Sequence, residues 1–318
     1  MSHARAAVPV MVLALAWQGG CRRITIEGED DSKRVREGDA IPVLSQVPFD
    51  ARVMFSLDLK RLRSQSDWGM LHSALTKDLN QAMGQFTTGG GFDPIKEVDR
   101  IVVAVPGERQ GDDRFAVFAD INQVDEGRVT RWIQEQTGTA RATFVRDRHT
   151  NRMIIGNGAW AEPMAGLAHS PRLPRSVANN PEMRRLCARA GRDHTLWFAA
   201  IVPTNVRRNL MEGARFPAAA SIMRVSGFVD VGGGLHAEVV AELSNTADAV
   251  DLARQLSAYL NQAKRHPETL VLGLAPYLEA LGVTAHDARV HASLDLSGVQ
   301  LGECIERIEA LAHAAWTK

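Results

Sequence analysis

Residues 221–243 read SIMRVSGFVDVGGGLHAEVVAEL. Two runs rich in apolar and β-branched residues, Ser221–Val231 and Leu235–Leu243, flank Gly232, Gly233 and Gly234. Glycine reaches the positive φ that a tight turn requires, so the stretch predicts a two-stranded antiparallel hairpin. A helix follows. Asn245 stands at an N-cap position, and Ala249, Leu252, Leu256 and Leu260 recur at three- and four-residue steps on one face. Outward from this unit, Thr195–Val202 predicts a strand and Thr204–Gly213 a helix. On the other side Pro267 starts a helix, Val283–Ala285 and Arg289–Leu296 form a last hairpin, and Ile305, Ile308 and Leu311 mark a closing helix.

The first half repeats this order. Ala51–Leu59 reads as a strand, and a helix from Lys60 carries Trp68, Leu71, Leu75 and Leu79 until Gly89–Pro94 stops it. Arg100–Pro106 and Phe115–Ile121 make a hairpin, Asp125 caps a helix with Val129, Trp132 and Ile133, and Ala142–Arg146 pairs with Arg152–Ile155 before a short helix from about Ala159. Residues 170–181 (SPRLPRSVANNP) are rich in Pro, Ser and Asn and mark a boundary. The expected fold is therefore α+β, with two similar domains at 42–170 and 182–318 joined by a linker at 171–181. Each would be an antiparallel sheet with helices on one face, the pattern an internal duplication leaves.

With 318 residues, 45% of them hydrophobic and 23% charged, the chain has the composition of a globular protein. Its formal net charge of zero removes the electrostatic footprint of a nucleic-acid partner.

Motifs of chemistry are sparse. Gly156-Asn157-Gly158-Ala159-Trp160-Ala161 matches a dinucleotide fingerprint in spacing, but it lies late in the half, lacks a following acidic residue and reads as a strand-to-helix turn. Neither Gly89–Gly91 nor Gly232–Gly234 is followed by the Gly-Lys-Ser/Thr of a phosphate loop. His286 and His291 differ by an odd number, which on one strand puts them on opposite faces. His194 and His236 can approach each other across a sheet, although exposed or satisfied imidazoles are the more common use of histidine. Asp112 and Asp113 read as a solvated turn, and Trp68, Trp132, Trp160 and Trp197 as core, with Trp316 near the C-terminus set apart. No catalytic residue, cofactor or metal site is expected. Of the three cysteines, Cys187 and Cys304 are read as separate buried thiols, with a disulfide between them as the alternative.

The N-terminus speaks of location. Arg5 precedes an uncharged run of twelve residues, Ala6–Trp17, and Gln18, Gly19 and Gly20 lead to Cys21. A basic start, an apolar run too short to span a bilayer and small residues at its end make an export signal over residues 1–20. Residues 21–41 are mostly charged and read as a solvated tether. Gly19, Gly20 and Cys21 resemble the lipobox of bacterial lipoproteins, although Gln18 replaces the apolar residue usual there. The resemblance implies cleavage between Gly20 and Cys21, acylation of Cys21 and anchoring to a lipid bilayer. Arg22 in place of Asp leans the expectation to the outer membrane facing the periplasm, or to the cell surface. With its two-part layout the chain resembles uncharacterised two-domain lipoproteins of Gram-negative bacteria such as myxobacteria. The expected function is a non-enzymatic binding or scaffolding module with an envelope protein partner. The alternative is an envelope hydrolase with a dispersed active site.

Overall fold

The computed structural model describes residues 42–66, 68–69, 94–107, 114–121, 127, 142–147, 152–170, 172–191, 193–204, 206–207, 216–271 and 273–316. Ten strands form one antiparallel sheet: β1 (Val53–Asp58), β2 (Val98–Val105), β3 (Ala116–Ile121), β4 (Ala142–Asp147), β5 (Arg152–Asn157), β6 (Leu196–Ile201), β7 (Ile222–Val231), β8 (Gly234–Leu243), β9 (Leu281–His286) and β10 (Arg289–Ser297). Their order is β4-β5-β3-β2-β1-β6-β7-β8-β10-β9. Counted from the middle, each half lays down its first, second, third, fifth and fourth strand in turn. The halves meet where β1 and β6 pair, from Val53 opposite Ala200 to Leu57 opposite Leu196.

This corrects the expectation of two separate sheets. Local alternation identifies the hairpins, but β1 and β6 each still have a free edge after pairing within their own half, and they satisfy it on each other. The stretch expected as a linker is packed. Val177 is fully buried, Pro48 bridges to Ser176, and the Val177 N–H donates to the Val47 carbonyl at 2.9 Å.

Helices cover both faces, not one. Among the described residues they are α1 (Leu59–Arg63), α2 (Pro94–Glu97), α3 (Ala161–Gly166), α4 (Pro181–Ala190), α5 (Thr246–Lys264), α6 (Pro267–Val271), α7 (Ala275–Glu279) and α8 (Gly298–Trp316). On the first face, Met54, Val102, Phe118 and Ile154 meet Met164 of α3 and Met183, Leu186 and Cys187 of α4. Trp160, Trp197 and Ala199 complete this core, which joins both halves. α4 starts where its register demands. Pro181 occupies the first turn, and the Asn180 side chain accepts from the Glu182 and Met183 N–H groups, both at 3.1 Å.

On the opposite face, Leu62 of α1 and Leu301 of α8 pack on Ile121, Met153, Ile155 and Val231. Farther out, α5 and α7 bring Leu252, Leu260, Tyr277 and Leu278 onto Ala237, Leu243, Leu281, Val290 and Leu294. Burying each such side chain contributes roughly 1.5–3 kcal/mol. The two cysteines fall on opposite faces of the sheet and are free: Cys187 in the first core, Cys304 against the second. The disulfide alternative is therefore overturned. Burial pushes the Cys187 thiol up to about 12, which makes it inert.

Candidate functional site

The site follows from strict alternation in three strands. In β8 the positions Leu235, Ala237, Ala241 and Leu243 face the helices, so His236, Glu238, Val240 and Glu242 face the other way. In β10 Val290, Leu294 and Leu296 are buried, and Arg289, His291, Ser293 and Asp295 point with His236. In β7 the matching residues are Arg224, Ser226, Phe228 and Asp230. The first face of the second half thus carries rows of polar side chains. On the same face the apolar core lies under α3 over the first half and continues under α4 onto β6 and the adjoining part of β7.

Three imidazole–carboxylate pairs cross these rows. His194 Nδ1 donates to Asp230 at 2.5 Å, His236 Nδ1 to Asp295 at 2.5 Å, and His291 Nδ1 to Glu238 at 3.4 Å. A carboxylate only accepts, so each Nδ1 carries the proton and each Nε2 is the acceptor of a neutral ring. His194 stacks on Phe228 with ring centroids 3.8 Å apart, and His236 tilts against the same ring at 5.4 Å. These groups meet solvent: the side chains of His236 and Asp295 are 48% and 57% exposed, and that of His291 37%.

The electrostatics favour ionised carboxylates. His291 holds the Glu238 carboxyl below its ordinary range, against the opposing effect of burial, and the charges of His236 and His194 add to this. Burial pushes the Asp230 carboxyl up, but hydrogen bonds from His194 and the Thr195 N–H, with the charge of Arg61, bring it below its ordinary range. The far end of the face is a different cluster. Glu242, only 9% exposed, is ringed by Arg185 and Arg224 at 3.3 Å, Arg289 at 3.6 Å, and Arg189. Burial raises its carboxyl, and these arginines, Arg189 foremost, outweigh that and lower it.

The residues singled out in sequence are now placed. Gly20, Cys21, Gly89–Gly91, Asp112, Asp113 and Trp132 lie outside the described residues. His286 and His291 share one face, because a turn puts them on neighbouring strands and resets the alternation. His194 and His236 do come together, across Phe228. Gly156–Ala161 is the expected turn, with Gly158 at φ +61° and Gly156 backed onto Met164. Sequence reasoning missed Asp230, Glu238, Asp295 and the arginines around Glu242. The signal for them was the polar parity of 236–242 and 289–295.

Among the described residues, no group of three or more His, Cys, Asp or Glu side chains is placed to hold a metal ion. Nor is any described helix long and apolar enough to cross a membrane. Comparison with protein-family models gives no match, and comparison with curated proteins gives none. Among solved structures, crystal form I of TP0453 is similar at 10% identity and a TM-score of 0.44, over 86% of this chain and 99% of that one. A likeness that loose transfers neither fold nor function to this chain.

Proposed function

We propose that this chain is an envelope lipoprotein, held on a membrane through acylated Cys21, and that it acts as a non-enzymatic binding module for another envelope protein. The observation that carries the binding reading is the polar first face of the second half, with its half-exposed His236, Asp295 and His291. Fixed side chains on a rigid sheet present a pattern without the flexibility of a loop, which lowers the entropy lost on binding. The anchor rests on Gly19, Gly20 and Cys21. An outer-membrane position facing the periplasm, or the cell surface, goes with it. The shared strand order of the halves supports an origin by duplication, the second half having kept this face open at β8 and β10 beyond the edge of α4.

The hydrolase alternative draws on the same imidazole–carboxylate pairs, which orient histidines as bases do. It needs a nucleophile. Among the described residues, no hydroxyl or thiol hydrogen-bonds to the Nε2 of His194, His236 or His291.

The test places a photo-crosslinking residue at Thr284, exposed beside His291, or at Tyr259 on α5, in cells carrying Cys21 or Cys21→Ser. We expect an acyl label and membrane fractionation that depend on Cys21, and a crosslinked partner from Thr284 alone. A Cys21→Ser chain that stays acylated and membrane-bound sinks the anchor. Equal crosslinking from both positions sinks the binding face.

A further inference from the structure

The geometry points to a specific partner chemistry for this face: a lysine- or arginine-rich segment of another protein, bound near neutral pH and released on acidification. The inference rests on the binding-module reading and adds to it the class of partner and the condition of release.

The argument begins with hydrogen-bond capacity. Asp230, Glu238 and Asp295 lie on β7, β8 and β10, and each already accepts from one imidazole Nδ1. With neutral imidazoles the Nε2 atoms are acceptors, those of half-exposed His236 and His291 within reach of solvent, and the carboxylates keep further acceptor sites. Such a surface offers acceptors to a ligand that must bring donors. Charge points the same way. Apart from the imidazoles, the one cation within ion-pair distance of these three carboxylates among the described residues is Arg61, 3.6 Å from Asp230. Two adjacent strand spacings separate β7 from β10, about 10 Å, a span that two basic side chains of one extended segment cover.

The same pairs supply the release. Imidazole is the side chain whose charge changes between about pH 5 and 8. Protonation turns each Nε2 into a donor and sets three positive charges beside three carboxylates. A basic segment then loses the Nε2 acceptors and meets like charge beside the carboxylates. The surrounding groups define the limits of the effect. From β9, exposed His286 adds a further imidazole beside Asp287. From β7, β10 and α4, the arginines around Glu242 border the face and turn a cation away from that end. Thr195 contributes only neutral donors to Asp230.

The experiment is fluorescence anisotropy of the full chain with a labelled lysine-rich peptide, alongside Gly/Ser and glutamate-rich peptides, near pH 7.5 and near pH 5.5. The lysine-rich peptide should bind at the higher pH and weaken about tenfold at the lower one. Asp295→Asn, at an exposed position, and Asp295→Asn with Glu238→Gln should weaken binding at pH 7.5 by similar factors, whereas Asp251→Asn on α5 leaves it unchanged. His236→Asn with His291→Asn should bind at pH 7.5 and lose most of the acid sensitivity. The inference is overturned by tighter binding of the glutamate-rich peptide at pH 7.5, by carboxylate variants that bind as well as the parent, or by an undiminished pH response in the histidine variant. A lysine-rich peptide that does not bind, beside a crosslink from Thr284 that persists, removes the basic-segment assignment and leaves the binding-module reading standing.

Discussion

Glu238 joins two roles in one residue: its side chain accepts from His291 at 3.4 Å, and its backbone carbonyl lies against Gly227. A Cβ on Gly227 would stand 2.3 Å from that carbonyl and 2.8 Å from the Phe198 ring. The carbonyl does not yield without moving the sheet. Gly227→Ala should therefore cost about 3 kcal/mol in urea unfolding. Gly166→Ala provides the contrast, since nothing lies within 4 Å of its Cβ position at the end of α3. That variant should be neutral or stabilising by up to about 1 kcal/mol. The carboxylates also make stability depend on pH. Both Glu238 and Asp230 titrate below their ordinary values in the folded chain, so the unfolded chain binds protons first as pH falls. Their contribution is complete above the ordinary carboxylate range, about pH 5, and is lost as the pH falls through the lower folded values. The urea midpoint should fall more steeply between pH 4.5 and 3 in the parent chain than in Glu238→Gln with Asp230→Asn. Parallel curves would show that the pairs contribute nothing.

At the scale of elements, the reading of 221–243 as a hairpin stands: the Gly232 N–H donates to the Gly234 carbonyl at 3.0 Å, with Gly233 at φ +68°. The cap on α5 was legible for the same local reason. The Asn245 side chain accepts from the Asp248 N–H at 2.9 Å and donates to the Asp248 carboxylate at 2.8 Å. Asn245→Ala should cost about 1 kcal/mol, read as a lowered Tm, and Asn245→Asp should recover much of it. What sequence does not carry is the face each element covers. Trp197 and Met54 read as apolar strand residues, and nothing local says that α4 will roof them. The site shows the same division. Alternation in 289–297 announces a polar face, but the pairing of His291 with Glu238 spans 53 residues and depends on strand register.

For the molecule as a whole, the first-face core is the decisive fact. Met54, Val102 and Phe118 precede residue 181, while Met183, Leu186, Trp197 and Ala199 follow it, and all belong to one cluster. Residues 42–180 and 181–318 expressed as separate chains should each lack a cooperative thermal transition, because each exposes part of this core and the free edge of β1 or β6. Two independent, sharp transitions would show instead that each half is a self-sufficient domain. Trp197→Ala in the intact chain should cost about 3–5 kcal/mol.

The pairing of β1 with β6 also shapes how the chain reaches this state. Most ladders join neighbours in sequence and close quickly, but Val53 must find Ala200 across the full length of the first half. Hairpins form early on either side, and the long-range ladder forms late. Until then β1 and β6 each present an open hydrogen-bonding edge to any other copy still folding. Crowded refolding thus selects between closure within one chain and exchange between two, and a swapped dimer is the expected by-product.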